Sequence, residues 1–262
     1  MSRIEARFSY LKKNRRKAFV AFLTAGYPNL PSTAAFIRAF DRIGVDVLEL
    51  GIPFSDPIAD GPVIQAASHE ALRKGVTLEA VLRVVRRARD QGVSLPICFM
   101  SYYNPVFCYG VERFIRKAAA SGVDGMIIPD LPLEEARTFS RLARRHGLDT
   151  ILFISQTTAA SRQKRIVAQS QGFIYYISLT GTTGARAALP SGIAGQVRRI
   201  KRLTAKPVCV GFGISTPAQV KRLQSAADGV IVGSAIVRKI KEYAGRPDMV
   251  ERVTAFVASL KG

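Results

Sequence analysis

The residues best suited to proton chemistry lie in one stretch, VLELGIPFSDPIADGPVIQ, from Val47 to Gln65. It begins as an apolar, strand-like run, and Glu49 stands in that run where a hydrophobe is the usual occupant. Side chains alternate along a strand, so Val47 and Glu49 share one face and Leu48 and Leu50 share the other. Facing outward, Glu49 would lie under a covering helix with no partner, a costly position for a carboxylate. Facing inward at the end of a strand, it would look into the mouth of a closed sheet. A carboxyl walled by apolar groups has a raised pKa, which suits proton transfer near neutral pH. The bland alternative is a buried Glu paired with a Lys or Arg. The loop that follows is stiffened by Pro53, Pro57 and Pro62 and displays Asp56 and Asp60. An Asp before a glycine is an ordinary turn former. Asp60 gains weight because it stands on the loop leaving the strand of Glu49. Together Glu49 and Asp60 read as the catalytic pair of a lyase.

A second chemistry is spelled by glycine turns late in the chain: TGTTGAR at Thr180 to Arg186, GFGIST at Gly211 to Thr216 and GSAI at Gly233 to Ile236. Backbone N–H groups in such turns, with a helix N-terminus behind them, bind phosphate. Gly213 and Gly233 would let the backbone approach the anion closely, and Ser234 would cap a short helix against it. SYYNP, Ser101 to Pro105, offers Tyr102 and Asn104 as an aromatic wall with an amide for a flat ring, although Tyr-Asn-Pro alone is only a loop signal. His69 and His146 belong to no metal-spaced cluster, and Cys98, Cys108 and Cys209 show neither metal nor redox spacing. No metal is expected. The cysteines read as small hydrophobes of a reducing, cytoplasmic setting.

These residues need a scaffold, and the chain repeats one. GVDVLEL at Gly44 to Leu50 returns as GVDGMII at Gly122 to Ile128, GLDTILF at Gly147 to Phe153 and ADGVIV at Ala227 to Val232. Each follows an amphipathic helical run. The Gly stops the helix, the Asp turns the chain and a strand follows. Eight strands are expected, at Ala18–Thr24, Val47–Leu50, Ile97–Met100, Gly125–Ile128, Thr150–Ile154, Ile174–Ile177, Pro207–Val210 and Val230–Val232. The helical patterns run over Ser32–Arg42, Leu78–Gln91, Val111–Ala120, Glu134–His146, Ser161–Gln169, Gly195–Leu203, Pro217–Ala226 and Met249–Leu260. Continuously apolar strands point to a parallel sheet covered on both faces. Eight of them close into a (β/α)8 TIM barrel, which takes about 250 residues against the 262 here. The other option, an open doubly wound sheet, is weakened because no Gly-x-Gly-x-x-Gly follows the first strand. The whole chain, 1–262, reads as one domain with a short N-terminal helix that packs Ile4, Phe8 and Leu11 on the body. Neither a signal peptide nor a membrane span is expected.

Charge is the unusual feature: 39 Lys and Arg against 19 Asp and Glu, net +20. The basic residues fall mostly on the outer faces of expected helices, without interleaved aromatics, so a solvated surface is preferred to a specific nucleic-acid interface. Such a field would still draw in an anionic small molecule.

LELGIPFSDPIADGPVIQ, SYYNP, MIIPDLP, YYISLTGTTGAR, VGFGIST and ADGVIVGSAIV, in that order, resemble the tryptophan synthase alpha chain family over essentially the whole chain. The resemblance implies a (β/α)8 barrel that cleaves indole-3-glycerol phosphate to indole and D-glyceraldehyde 3-phosphate. It implies that Glu49 is the general acid/base that protonates indole C3, and that Asp60 stabilises charge developing on the ring-nitrogen side. By motif position, Phe22, Tyr102, Pro129 and Phe212 line the indole pocket. Gly184, Gly213, Gly233 and Ser234 hold the phosphate, and Thr183 closes the site against Asp60. No cofactor belongs to this chain. The partner is a beta chain carrying pyridoxal phosphate, in an alpha-beta-beta-alpha heterotetramer. Pro53 to Pro57 and the segment after Tyr102 would face that partner. The alternative within the resemblance is a catalytically weak subunit that mainly activates the beta chain.

Overall fold

In a computed structural model of the chain, residues 1–177, 192–211 and 213–261 are described. The elements in order are α1 (Arg3–Lys13), β1 (Ala18–Thr24), α2 (Leu30–Arg42), β2 (Val47–Gly51), α3 (Pro62–Arg73), α4 (Leu78–Asp90), β3 (Ile97–Met100), α5 (Tyr103–Tyr109), α6 (Val111–Ala120) and β4 (Gly125–Ile127). They continue with α7 (Leu133–Arg145), β5 (Asp149–Ser155), α8 (Ala160–Gln169), β6 (Ile174–Ile177), α9 (Ile193–Lys201), β7 (Val208–Gly211), α10 (Pro217–Gln224), β8 (Gly229–Val232), α11 (Ser234–Tyr243) and α12 (Met249–Lys261). All eight strands are parallel and hydrogen-bonded in sequence order, and β8 returns to β1, which makes a closed (β/α)8 barrel. No described helix is long and apolar enough to cross a membrane.

Strand alternation divides the apolar residues into two layers. Phe19, Leu48, Leu50, Phe99 and Tyr176 point outward into the shell under the helices. Val20, Val47, Cys98, Ile127, Cys209 and Ile231 fill the inside of the barrel. Ile4, Phe8 and Leu11 of α1 join that inner cluster, with the Phe8 and Phe173 rings 5.6 Å apart. The N-terminal helix therefore plugs the end of the barrel where the strands begin. The opposite end is left for chemistry.

The joint aspartates do more than turn the chain. Asp46, Asp124 and Asp228 each accept an N–H at the start of the preceding strand, from Phe19, Ile97 and Val208, the first or second residue in each case. Before β6, which lacks the Asp phrase, Gln171 accepts from Thr150 instead. Each joint Asp also draws in a cation from α1 or the turn after it. Arg7 reaches Asp46 at 2.6 Å, Arg3 reaches Asp124 at 2.9 Å, and Lys17 lies 3.6 Å from Asp228. The carboxylates that staple neighbouring strands thus also fasten the plug.

Four sequence expectations change. In GLDTILF the phrase is one residue out of step: Asp149 already pairs with Gly125 inside the strand, so Leu152 turns outward while Ile151 and Phe153 turn in. Leu152 is therefore no counterpart of Glu49. Pro62 is the first residue of α3 rather than the end of a loop, a place that needs no N–H donor. SYYNP opens α5, because a proline in the first turn is compatible with a helix. Ser234 is the first residue of α11, and Gly233 holds the cap position.

Arg89 shows how tightly the helical shell is tied to the barrel. Its side chain is 10% exposed and donates to the carbonyls of Gly122, Val93 and Leu95 and, at 2.7 Å, to Asp124. A lysine cannot reproduce that planar fork. Arg89→Lys is expected to cost roughly 2–4 kcal/mol in urea unfolding, because Asp124 and three carbonyls lose partners together. Arg86→Lys, on the exposed face of the same helix, should cost less than about 1 kcal/mol.

Candidate active site

Glu49 lies where the alternation puts it. It pairs in register with Phe22 on β1 and Cys98 on β3, shares its face with Val47 inside the barrel, and is 1% exposed. Neither a Lys nor an Arg pairs with it among the described residues. Its Oε1 has no hydrogen-bond partner there. Burial first, and the charge of Asp60 second, push its pKa from 4.5 up to about 8.

Asp60 is aimed by its loop. Its N–H donates to Pro57 O at 3.0 Å, and Gln65 Nε2 donates to its carbonyl at 2.8 Å, which ties the loop to the first turn of α3. Tyr102 holds the carboxylate: its hydroxyl donates to Asp60 Oδ2 at 3.1 Å and accepts the Ala59 N–H at 3.0 Å. Burial raises the Asp60 pKa to about 6, and the Tyr102 hydrogen bond works against that rise. Asp56 is exposed and paired with the Ser55 hydroxyl, away from the pocket.

Glu49 and Asp60 open onto one cavity of about 400 Å³ at the C-terminal ends of the strands. Phe22 and Pro129 line it, as do Gly213, Gly233 and Ser234. Tyr102 is not among its lining residues and enters the site through Asp60. Asn104 stands exposed on α5, where its amide oxygen takes the Cys108 thiol contact. Thr183, Gly184 and Phe212 lie outside the described residues. The cavity also takes Met100, Phe153, Tyr175 and Ile64, which sequence reasoning missed. Phe153 and Tyr175 are register partners whose ring centroids lie 4.7 Å apart. On β5 the sequence repeat points the wrong way, because the pairing of Asp149 with Gly125 is what turns Phe153 inward. Gly211 makes room: a Cβ there would come within 2.6 Å of the Tyr175 ring.

The glycine turns expected to bind phosphate meet the same cavity. Gly213 has φ +57°, a left-handed conformation that favours glycine. The N-terminus of α11 carries no side-chain cap and no acid in its first turn. By contrast, the start of α10 is closed by its own capping box, Thr216 with Gln219. The N-terminal N–H groups of α11 thus remain available to an anion. Among the described residues, no group of three or more His, Cys, Asp or Glu is placed to hold a metal.

Comparison with known proteins matches this arrangement to one family. The family model described as tryptophan synthase alpha chain covers residues 8–262. The chain is 46% identical over 261 residues to the tryptophan synthase alpha chain of Geobacter sulfurreducens, covering 100% of this chain and 98% of that one. It is 45% identical over 263 residues to the Picosynechococcus protein of the same name, at 100% and 98% coverage. Among solved structures it is similar to tryptophan synthase subunit alpha from Legionella pneumophila, with TM-score 0.92, 38% identity and coverage of 100% and 97%. It is also similar to a chain of a tryptophan synthase complex from Pyrococcus furiosus, with TM-score 0.85, 39% identity and coverage of 93% and 97%.

Burial of Glu49 has a consequence for stability. Between pH 4.5 and about 8 the folded chain keeps a proton that the unfolded chain has released. Glu49 therefore leaves stability undiminished below the lower value and takes it away as pH rises toward the upper one. Asp60 has the same sign between 3.8 and about 6. Glu49→Gln should be more stable than the parent in thermal unfolding, by a margin that widens from about pH 5 to about pH 9. A constant or shrinking margin would contradict the buried, uncompensated carboxyl.

Proposed function

The chain belongs to the tryptophan synthase alpha chain family, and we propose that Glu49 and Asp60 carry the chemistry of its reaction. That reaction is the lyase step that cleaves indole-3-glycerol phosphate to indole and D-glyceraldehyde 3-phosphate. The observation that carries the assignment is two carboxyls on one cavity whose pKa values fall on either side of neutrality, about 8 for Glu49 and about 6 for Asp60. Divergent environments divide a pair of acids into a donor and an anion.

At neutral pH Glu49 holds its proton and donates it to C3 of the indole ring. The ring becomes an electron sink with positive charge toward its nitrogen, where the Asp60 carboxylate stabilises it. The bond from C3 to the glycerol carbon then breaks and its electron pair restores the aromatic ring. The hydroxyl on that carbon loses its proton to the Glu49 carboxylate and becomes the aldehyde, so the acid is regenerated. Phe22, Pro129 and, by motif, Phe212 would flank the ring. Gly213, Gly233 and Ser234, with Gly184, would hold the phosphate, and Thr183 would close over Asp60. Tyr102 positions Asp60.

As a single-barrel alpha subunit of a cytoplasmic alpha-beta-beta-alpha assembly, the chain would pass indole to a beta chain that carries pyridoxal phosphate. Two large exposed hydrophobics support the docking face: Ile58, 81% exposed beside the Pro53 to Pro57 loop, and Phe107, 64% exposed after Tyr102. The alternative, a subunit that only activates its partner, is disfavoured because both carboxyls and their electrostatic division are intact.

Indole release from indole-3-glycerol phosphate, with and without a beta chain, tests the assignment. Glu49→Gln should lower kcat by at least about 10²–10⁴. Parental turnover in that variant would remove Glu49 from the mechanism. The pH profile of kcat/KM should rise through about 6 as Asp60 ionises and fall above about 8 as Glu49 loses its proton. Tyr102→Phe removes the hydrogen bond that favours the Asp60 anion, so its acid limb should move to higher pH.

A further inference from the structure

A cavity of about 750 Å³ lies at the other end of the barrel, where the strands begin. That volume is within the range of small-molecule sites. The end of α1 and the turn after it form one wall. The joints leading into β6 and β7 form the others.

The cavity has surplus positive charge. Lys12, Arg15 and Arg16 face it from α1 and its turn, and Arg144 from the end of α7. No ion pair engages any of these four among the described residues. The two acids that share the space are already taken. Glu5 caps its own helix by accepting the Ser2 N–H, and Asp228 is held by Lys201 at 2.6 Å and by Lys17. Lys206 adds an ammonium whose contacts are the carbonyls of Val167 and Ala168. Burial first, and the charge of Arg144 second, push its pKa down.

Arg15 adds an independent observation. It is the non-glycine residue with positive φ among those described, at +54°. Arg16 N–H donates to Leu11 O and Arg15 N–H to Lys12 O, the two-bond helix ending whose left-handed position usually holds glycine. That ending fixes the Arg15 backbone, and its side chain then stands on the wall of the cavity. Phe8, Leu11 and Pro207 give the same cavity an apolar side.

We propose that this cavity is a second anion site, distinct from the one at Gly233, and that it takes a small molecule with two or more phosphate groups, of about the size of a nucleoside diphosphate. Guanidinium and ammonium groups arriving from separate elements suit several phosphates at once. The apolar side suits a ring. The inference is independent of the roles assigned to Glu49 and Asp60.

Calorimetric titration of the whole chain at about 0.15 M salt, where long-range surface attraction is screened, tests it with ADP, pyrophosphate, inorganic phosphate and adenosine as probes. Saturable one-to-one binding is expected for ADP and pyrophosphate, weaker binding for phosphate and none for adenosine. Arg15→Gly with Arg16→Gln should weaken ADP binding by at least about tenfold. The same pair should leave the fold intact, since glycine suits the left-handed position, and indole release unchanged. Arg83→Gln with Arg87→Gln, which removes equal charge from the exposed face of α4, should leave ADP binding as it was. Absence of saturable binding, equal weakening by both pairs of substitutions, or displacement of ADP by glycerol 3-phosphate would overturn the proposal. The last outcome would place the anion in the cavity that holds Glu49.

Discussion

A carboxyl group sealed among apolar side chains is the constraint on which this molecule turns. Glu49 is 1% exposed inside a barrel whose other inward residues at that level are apolar, aromatic or cysteine. Water would have stabilised its anion, and the barrel interior does not. The group therefore stays protonated near neutral pH, which makes it an acid strong enough to be useful and still loaded. Asp60, on a half-buried loop with a phenol hydrogen bond, pays less desolvation and ionises first. At neutral pH one side chain holds a proton and the other a negative charge, although both are ordinary carboxylic acids.

Sealing Glu49 requires that the barrel be closed at its far end. The α1 plug does this with Ile4, Phe8 and Leu11, and the joint carboxylates Asp46, Asp124 and Asp228 hold both the strand starts and the cations that fasten the plug. Asp46 and Asp124 are buried and Asp228 is partly so, yet each is satisfied by a backbone N–H and by Arg or Lys. Among the described residues Glu49 has no such compensation. The contrast separates carboxylates that hold the fold from the one that the fold strains.

The opposite rim is organised by absence of side chains. Gly213 and Gly233 leave backbone accessible, and α11 begins without a cap of its own. A helix terminus left open in this way has a partial positive charge and free N–H donors. In the proposed reaction the anionic tail of the substrate would satisfy both, and its distance from Glu49 across one cavity would orient the ring.

Much of this was legible in the chain itself. The eight strands, their closure into a barrel and the anomalous Glu49 follow from hydrophobic periodicity, with a recurring Asp joint before four of the strands, because both are local and repeat. The helix at Tyr103–Tyr109 escaped notice because a proline in a first turn is locally indistinguishable from one in a loop. The out-of-step register of Asp149, which turns Leu152 out and Phe153 in, is set by pairing with Gly125, a neighbour distant in sequence. Tyr102 could be named as an aromatic near the site, but only three-dimensional packing made it the support of Asp60 rather than a wall. Tyr175 and Phe153 became part of the pocket for the same reason. The sequence by itself determined which groups could ionise and which faces would be buried, since these depend on side-chain chemistry and short-range period. Tertiary structure alone decided how strongly each carboxyl is desolvated and what stands beside it, since desolvation and proximity are properties of the assembled barrel.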